Sequence, residues 1–215
     1  MAYRFSGTNN VEFAIAPLSG YTFGPHTFAF FYKPANVAAQ QNIWYSMTAG
    51  SGDKVFVEQF GNASRIIRNT ACQSPVSIIT STSTWYLLAV SGAGGSTASR
   101  FHLHDGSSWQ HLAAASGSGT DVAYTGTDRM FISQTFNSLS ADVVCAGVKK
   151  ADSTDLQLET LGRTSFTSWT GFGFNWLIGF DPSLVSGGLL QDQASPGTGD
   201  QIAISGTSVV ADRWR

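Results

Sequence analysis

An all-β sandwich of two antiparallel sheets, with one short helix late in the chain, is the fold that this 215-residue sequence predicts. Two observations carry the expectation. Short runs rich in Val, Ile, Phe, Tyr and Trp recur along the chain, each bounded by Gly, Ser, Asn, Asp or Pro. The 15 Phe and 6 Trp supply enough bulk to fill the space between two sheets. Sandwiches of about 200 to 250 residues fold as one unit. A single domain over 1–215 is therefore expected, with 181–215 a C-terminal extension that returns to the sandwich.

Tyr3-Arg4-Phe5 runs into the turn cluster 6–10, and Val11 to Ile15 then alternates with period two, which predicts a first hairpin. Thr27 to Tyr32 is aromatic, uncharged and stopped by Lys33-Pro34, as expected of a central strand covered on both faces. Ile43–Met47, Lys54–Phe60 and Ser64–Arg68 are separated by Gly-rich turns and predict a meander. Thr84–Val90, Arg100–His104 and Ser108–Leu112 predict three more strands, the last two joined at Asp105-Gly106. The run 115–120 has the length of an ordinary sandwich loop rather than of a domain boundary. Arg129–Ser133 and Ala141–Val148 predict two further strands. Asp152 or Ser153 can cap a helix through Asp155, Leu156, Leu158, Glu159 and Leu161 to a stop at Gly162. Gln201–Ile204 and Val209-Val210 predict a returning strand.

Charged residues make up 12% of the chain, against about a quarter in typical soluble domains, and Ser, Thr, Asn, Gln and 23 Gly supply the polarity. A net charge of -2 creates no basic field, so nucleic acid is not an expected partner. The uncharged stretch 71–99 is broken by Ser, Thr, Gly and Pro and cannot span a membrane, so no membrane partner is expected. The opening residues read as strand and turn rather than as an export signal. Cys72 and Cys145 are expected as free, buried thiols, in keeping with assembly in a reducing cytoplasm.

Four segments in order resemble the laminin-G/concanavalin-A-like lectin and glucanase family of jelly rolls. Tyr3–Asn10 is similar to its opening F-x-G-x-x-[DN] segment, Thr27–Pro34 to its aromatic strand ending in K-P, Thr84–Val90 to its W-x-x-[LV]-A-[VF] strand, and Lys149–Leu156 to the helix before its final strand. The tail, Gly187–Gln193 followed by Asp200–Val210, resembles the ending of such domains in virion structural proteins of actinobacterial tailed phages. The resemblance implies a non-catalytic minor tail protein or capsid decoration, assembled in the host cytoplasm and located in the virion. Its implied partners are other virion proteins and a host surface glycan, and it implies a homo-oligomer, dimer or trimer. A free-standing lectin is the alternative, and a glycan hydrolase comes third.

Hydrolases of this fold pair two carboxylates across the scissile bond. Here Glu12, Glu58 and Glu159 stand alone, while Asp152 and Asp155 fall on the helix, where capping is the simpler role. No catalytic residue is assigned. His102 and His104 lie on one face of a strand, and with Asp105 and His111 nearby they raise the possibility of a zinc or nickel site. Ligand spacing of a known kind is missing and that face is expected to be solvated, so no metal or other cofactor is assigned. Asp121 and Asp128 are too isolated for calcium. The sequon Asn62-Ala63-Ser64 is read as chance. Among the aromatics, Trp109 and Trp169 have the most polar neighbours and are expected, with Trp44, Tyr45 and His104, to bind carbohydrate or a partner. Arg213, Trp214 and Arg215 are expected at a subunit contact.

Overall fold

A computed structural model describes residues 2–7, 11–14, 18–48, 51–133, 136–162, 166–180, 185–186, 189–194, 201–204 and 208–210. Arg213, Trp214 and Arg215 lie outside the described residues.

The first half of the chain forms β1 (Ala2–Ser6), β2 (Val11–Ala14), β3 (Thr22–Phe23), β4 (His26–Pro34), β5 (Gln40–Thr48), β6 (Ser51–Phe60), β7 (Ala63–Arg68) and β8 (Thr70–Gln73). There follow β9 (Tyr86–Gly92), β10 (Arg100–His104), β11 (Trp109–Leu112), β12 (Val122–Ala123), β13 (Asp128–Ile132) and β14 (Ser140–Lys149). Two helices come next, α1 (Asp155–Leu158) and α2 (Thr167–Thr170), and then β15 (Trp176–Gly179), β16 (Val185–Ser186), β17 (Leu189–Leu190), β18 (Gln201–Ile204) and β19 (Ser208–Val210).

One large sheet has the order β11-β10-β9-β4-β14-β1-β19, with β15 also on β14, and the other has the order β18-β2-β13-β5-β6-β7-β8. All pairings in both sheets are antiparallel. This is the expected two-sheet jelly-roll sandwich. The run β5 to β7 is the expected meander, and β8, which the sequence reading did not expect, extends it by one strand. The expected first hairpin does not form: β1 pairs with β14 and β19 in one sheet, and β2 pairs with β13 and β18 in the other. Turn residues at 6–10 predicted a reversal, but β1 and β2 lie in different sheets, and each strand finds a partner distant in sequence.

Alternation along the strands explains the layering. On β4, Phe28, Phe30 and Tyr32 enter the core between the sheets, while Ala29 and Phe31 face the other way. On β9, Tyr86, Leu88 and Val90 point inward, while Leu87 and Ala89 point outward. The outward set is also buried, because Leu158, Leu161, Trp169 and Phe174 lie over it as a third layer, together with Leu177, which β15 presents on the same outer face. The Phe174 ring sits so close to β14 that a Cβ on Gly147 would lie 2.8 Å from it. Each large side chain so covered contributes about 1.5–3 kcal/mol.

The single expected helix is instead two short ones. The first is capped by Thr154 rather than by Asp152 or Ser153. Its hydroxyl accepts from the Gln157 amide, and the Gln157 side chain accepts from the Thr154 amide. The helix ends after one turn because Leu158 and Leu161 must both turn down onto the sheet. Both cysteines are buried and free, as expected.

At the start of β4, His26 is completely buried. Its Nδ1–H donates to the Gly24 carbonyl at 2.8 Å, and Nε2 accepts from the Ser99 hydroxyl at 3.0 Å. Gly92 is its cross-strand partner, and a Cβ there would lie 2.9 Å from the ring. Burial lowers this imidazole to about 4, against about 6.5 in the unfolded chain. Between those values the unfolded state binds a proton that the native state excludes. The contribution is therefore complete above about pH 6.5 and falls by about 3 kcal/mol as pH drops to about 4. Urea unfolding at a series of pH values is expected to show this loss, with a shallower slope in His26→Gln; an unchanged slope would assign the acid sensitivity elsewhere.

Candidate functional site

The β10–β11 hairpin brings together residues that the linear sequence keeps apart. Asp105 closes its turn by accepting from the Ser107 amide at 2.9 Å and the Ser107 hydroxyl at 2.6 Å. The turn fixes the register, so His104 faces Trp109 and His102 faces His111. The two imidazoles meet with Nδ1 to Nδ1 at 2.8 Å. Phe101 and Leu103 point into the core, as the alternation of β10 predicts. His102, however, is 1% exposed, not solvated. The reason is α1 and the chain leading into it, which cover this face.

Arg100 holds that cover in place. Its guanidinium donates to Asp155 at 3.0 Å, to Asp152 at 3.0 Å and to the Ser153 carbonyl at 2.7 Å. With Thr154 as cap, Asp155 opens α1 and Glu159 follows four residues later on the same side. Both acids reach the histidines. Asp155 Oδ1 lies 3.7 Å from His102 Nδ1 and 3.8 Å from His111 Nδ1. Glu159 Oε1 lies 2.9 Å from His111 Nε2. On the inner side, Ser91 Oγ lies 2.9 Å from His102 Nε2 and 3.3 Å from the Ser153 carbonyl.

The hydrogen bonds assign the tautomers. A carboxylate accepts, so in the neutral pair His111 donates from Nε2 to Glu159 and its Nδ1 accepts. His102 then donates from Nδ1, and its Nε2 accepts from Ser91. Burial foremost, then His111 and Arg100, lowers the His102 imidazole to about 4, so it is neutral at physiological pH. The arrangement Ser91–His102–His111–Glu159 resembles a catalytic relay in outline, but Ser91 is completely buried and cannot reach a substrate.

Trp109 stands beside this cluster. Its indole stacks on His111 with centroids 5.8 Å apart and planes at 6°, and His104 meets it edge-on at 5.4 Å. It packs against the outer apolar cluster while remaining partly exposed. His104 is also partly exposed.

Three other expected platforms are corrected. Trp169 is completely buried in the outer cluster, where its indole donates to the Gly162 carbonyl at 3.0 Å. Its polar neighbours Ser168 and Thr170 belong to α2, whose opposite side packs down. Trp44 is completely buried against Phe28. Tyr45 is 2% exposed, between Phe56 and Phe131. None of the three presents a ring to solvent.

The described acids have local partners. Glu58 is completely buried with Arg65 and Gln40. Glu12 lies 3.2 Å from Arg129. Asp142 is shared by Arg4 and Lys33 beside a cleft of about 510 Å³. Asp121 accepts from the Gly95 amide, whereas Asp128 bonds the Thr125 amide and pairs with Lys54. Ser91, Asp155 and Glu159 are the site residues that the sequence reading did not join to the histidines. Counting back from Asp105-Gly106 would have paired His102 with His111; the position of α1 over that pair has no local signal.

No protein-family model matches the chain, and no curated protein matches its sequence. Several solved structures share its fold. A candidate carbohydrate binding protein from Bacteroides ovatus superposes with a TM-score of 0.66 at 14% identity, over 98% of this chain and 60% of its own. A native heptameric SAP-like pentraxin from Limulus polyphemus gives 0.54 at 15% identity, over 74% of this chain and 80% of its own. The full extracellular region of zebrafish Gpr126/Adgrg6 gives 0.51 at 12% identity, over 96% of this chain and 27% of its own. This chain thus spans less than two thirds of the length of the Bacteroides and zebrafish proteins. At these identities the similarity is one of fold: the chain has the jelly-roll sandwich found in lectin-like and pentraxin domains.

Trp169→Ala is expected to cost about 3–5 kcal/mol of stability, as for a large aromatic removed from a core. Denaturant unfolding measures it, and a loss below about 1 kcal/mol would mean that the outer cluster closes over the gap.

Proposed function

We propose that this chain is a non-catalytic recognition domain carried on a phage virion, as a minor tail protein or capsid decoration, and that it binds a host-surface glycan. The observation that carries the glycan reading is Trp109. It is an indole left partly exposed at a hairpin whose turn is built from Asp105, Gly106, Ser107 and Ser108. A flat apolar ring beside short hydrogen-bonding side chains suits the apolar face and hydroxyl rim of a sugar. Stacking on His111 and contact with His104 hold the ring without a loss of rotamer freedom on binding.

The engagement of Glu12, Glu58 and Asp128 by neighbouring cations supports binding over hydrolysis, because a general acid and a nucleophile must face an open cleft. The virion reading is supported by the tail segment, whose resemblance to phage structural proteins covers β17, β18 and β19. Assembly on a symmetric particle favours a homo-oligomer closed by rotation.

Two measurements test the two parts separately. On a glycan array, Trp109→Ala is expected to weaken binding by about thirtyfold, which corresponds to about 2 kcal/mol at a binding hot spot. Retained binding in a folded Trp109→Ala protein would remove this site. Mass spectrometry of purified particles is expected to detect the polypeptide, and its absence from them would end the virion assignment while leaving glycan binding open.

A further inference from the structure

We propose that His102, His111 and Asp155 form a site for one divalent transition ion of the zinc class, clipping α1 to the β10–β11 hairpin. The three donor atoms, each imidazole's Nδ1 and the carboxylate Oδ1, are separated by 2.8, 3.7 and 3.8 Å. They are the one group of such donors that could hold an ion among the described residues. A triangle with these sides has its centre about 2.0 Å from every corner, the length of zinc bonds to nitrogen and to carboxylate oxygen. Two nitrogens and one oxygen select a borderline ion over calcium or magnesium, which take oxygen donors.

The outer contacts are those of a ligand set held in orientation. Metal-binding histidines present one nitrogen to the ion and donate the other N–H to an acceptor. His111 already does so toward Glu159 at 2.9 Å. For His102 the ion requires a change of tautomer and nothing more. Its proton moves from Nδ1 to Nε2 and is donated to Ser91 Oγ, while the Ser91 hydroxyl turns to the Ser153 carbonyl 3.3 Å away. No proton leaves the protein, and each displaced hydrogen bond has a partner in place. The ion replaces the shared proton as the link between the two rings, lying off the line between the nitrogens on the side of Asp155. Arg100 stays on Asp155 Oδ1 at 3.0 Å and keeps the carboxylate aimed. Three protein donors leave a fourth position for water.

The test uses the full-length, tag-free protein, stripped with a chelator and titrated with Co²⁺ and with Zn²⁺. One equivalent of Co²⁺ is expected to bind with visible absorption of a tetrahedral or five-coordinate ion, and Zn²⁺ is expected to displace it. Asp155→Asn and His111→Ala are expected to lose that spectrum. Glu159→Gln, which touches no ion, is expected to weaken binding by about tenfold or more. His104→Ala is expected to bind as the parent does. In the parent protein, Zn²⁺ is expected to shift the imidazole NMR signals of His102 and His111 and to leave that of His26 in place, a readout that needs no variant to fold. Absence of stoichiometric binding, binding lost in His104→Ala but kept in His111→Ala, or unmoved His102 and His111 signals would each overturn the proposal.

Discussion

Burial of one sheet on both of its faces is the constraint on which this structure depends. The central strands β4, β9 and β14 carry apolar residues at consecutive positions, so a two-layer sandwich would leave half of them in water. A third layer is therefore required, and Leu158, Leu161, Trp169 and Phe174 supply it. That requirement explains why α1 and α2 are single turns, why Gly147 lacks a side chain under Phe174, and why Trp169 faces inward despite its polar neighbours. It also creates the histidine cluster, since covering the outer face toward its edge encloses His102 beneath α1.

Features governed by local periodicity could be read from the sequence. The unbroken apolar run Thr27–Tyr32 announced a strand covered on both sides, and the Gly-punctuated runs from Ile43 to Arg68 announced a meander; the structure contains both. Features set by distant partners could not be read in this way. Tyr3 and Val11 flank an apparent turn yet belong to different sheets, because strand partners are chosen by the closure of the whole sandwich. The polarity of Ser168 and Thr170 spoke for an exposed Trp169, but one turn of helix places neighbours on opposite sides. At the candidate site the hairpin register was available from Asp105-Gly106. The acids were not, because Asp155 and Glu159 reach the histidines only through the path of the covering layer.

Sparse charge is matched by close pairing. Glu58 is wholly enclosed beside Arg65, and Asp142 serves both Arg4 and Lys33. A buried carboxylate without its cation is strongly unfavourable, so such pairs fix which residues can approach one another and not merely how firmly the fold holds. Arg100 acts in the same sense at the site. By engaging Asp152, Asp155 and the Ser153 carbonyl together, it sets the height of α1 above β10.

The pairing of β1 with β19 sets Ala2 opposite Val210. Neighbouring strands lie about 4.8 Å apart, so the first and last described strands close one edge of the large sheet together. The β10–β11 hairpin forms the opposite edge of that sheet, so the candidate site and the strand pair that joins the two ends of the described chain are held apart by the width of the sheet.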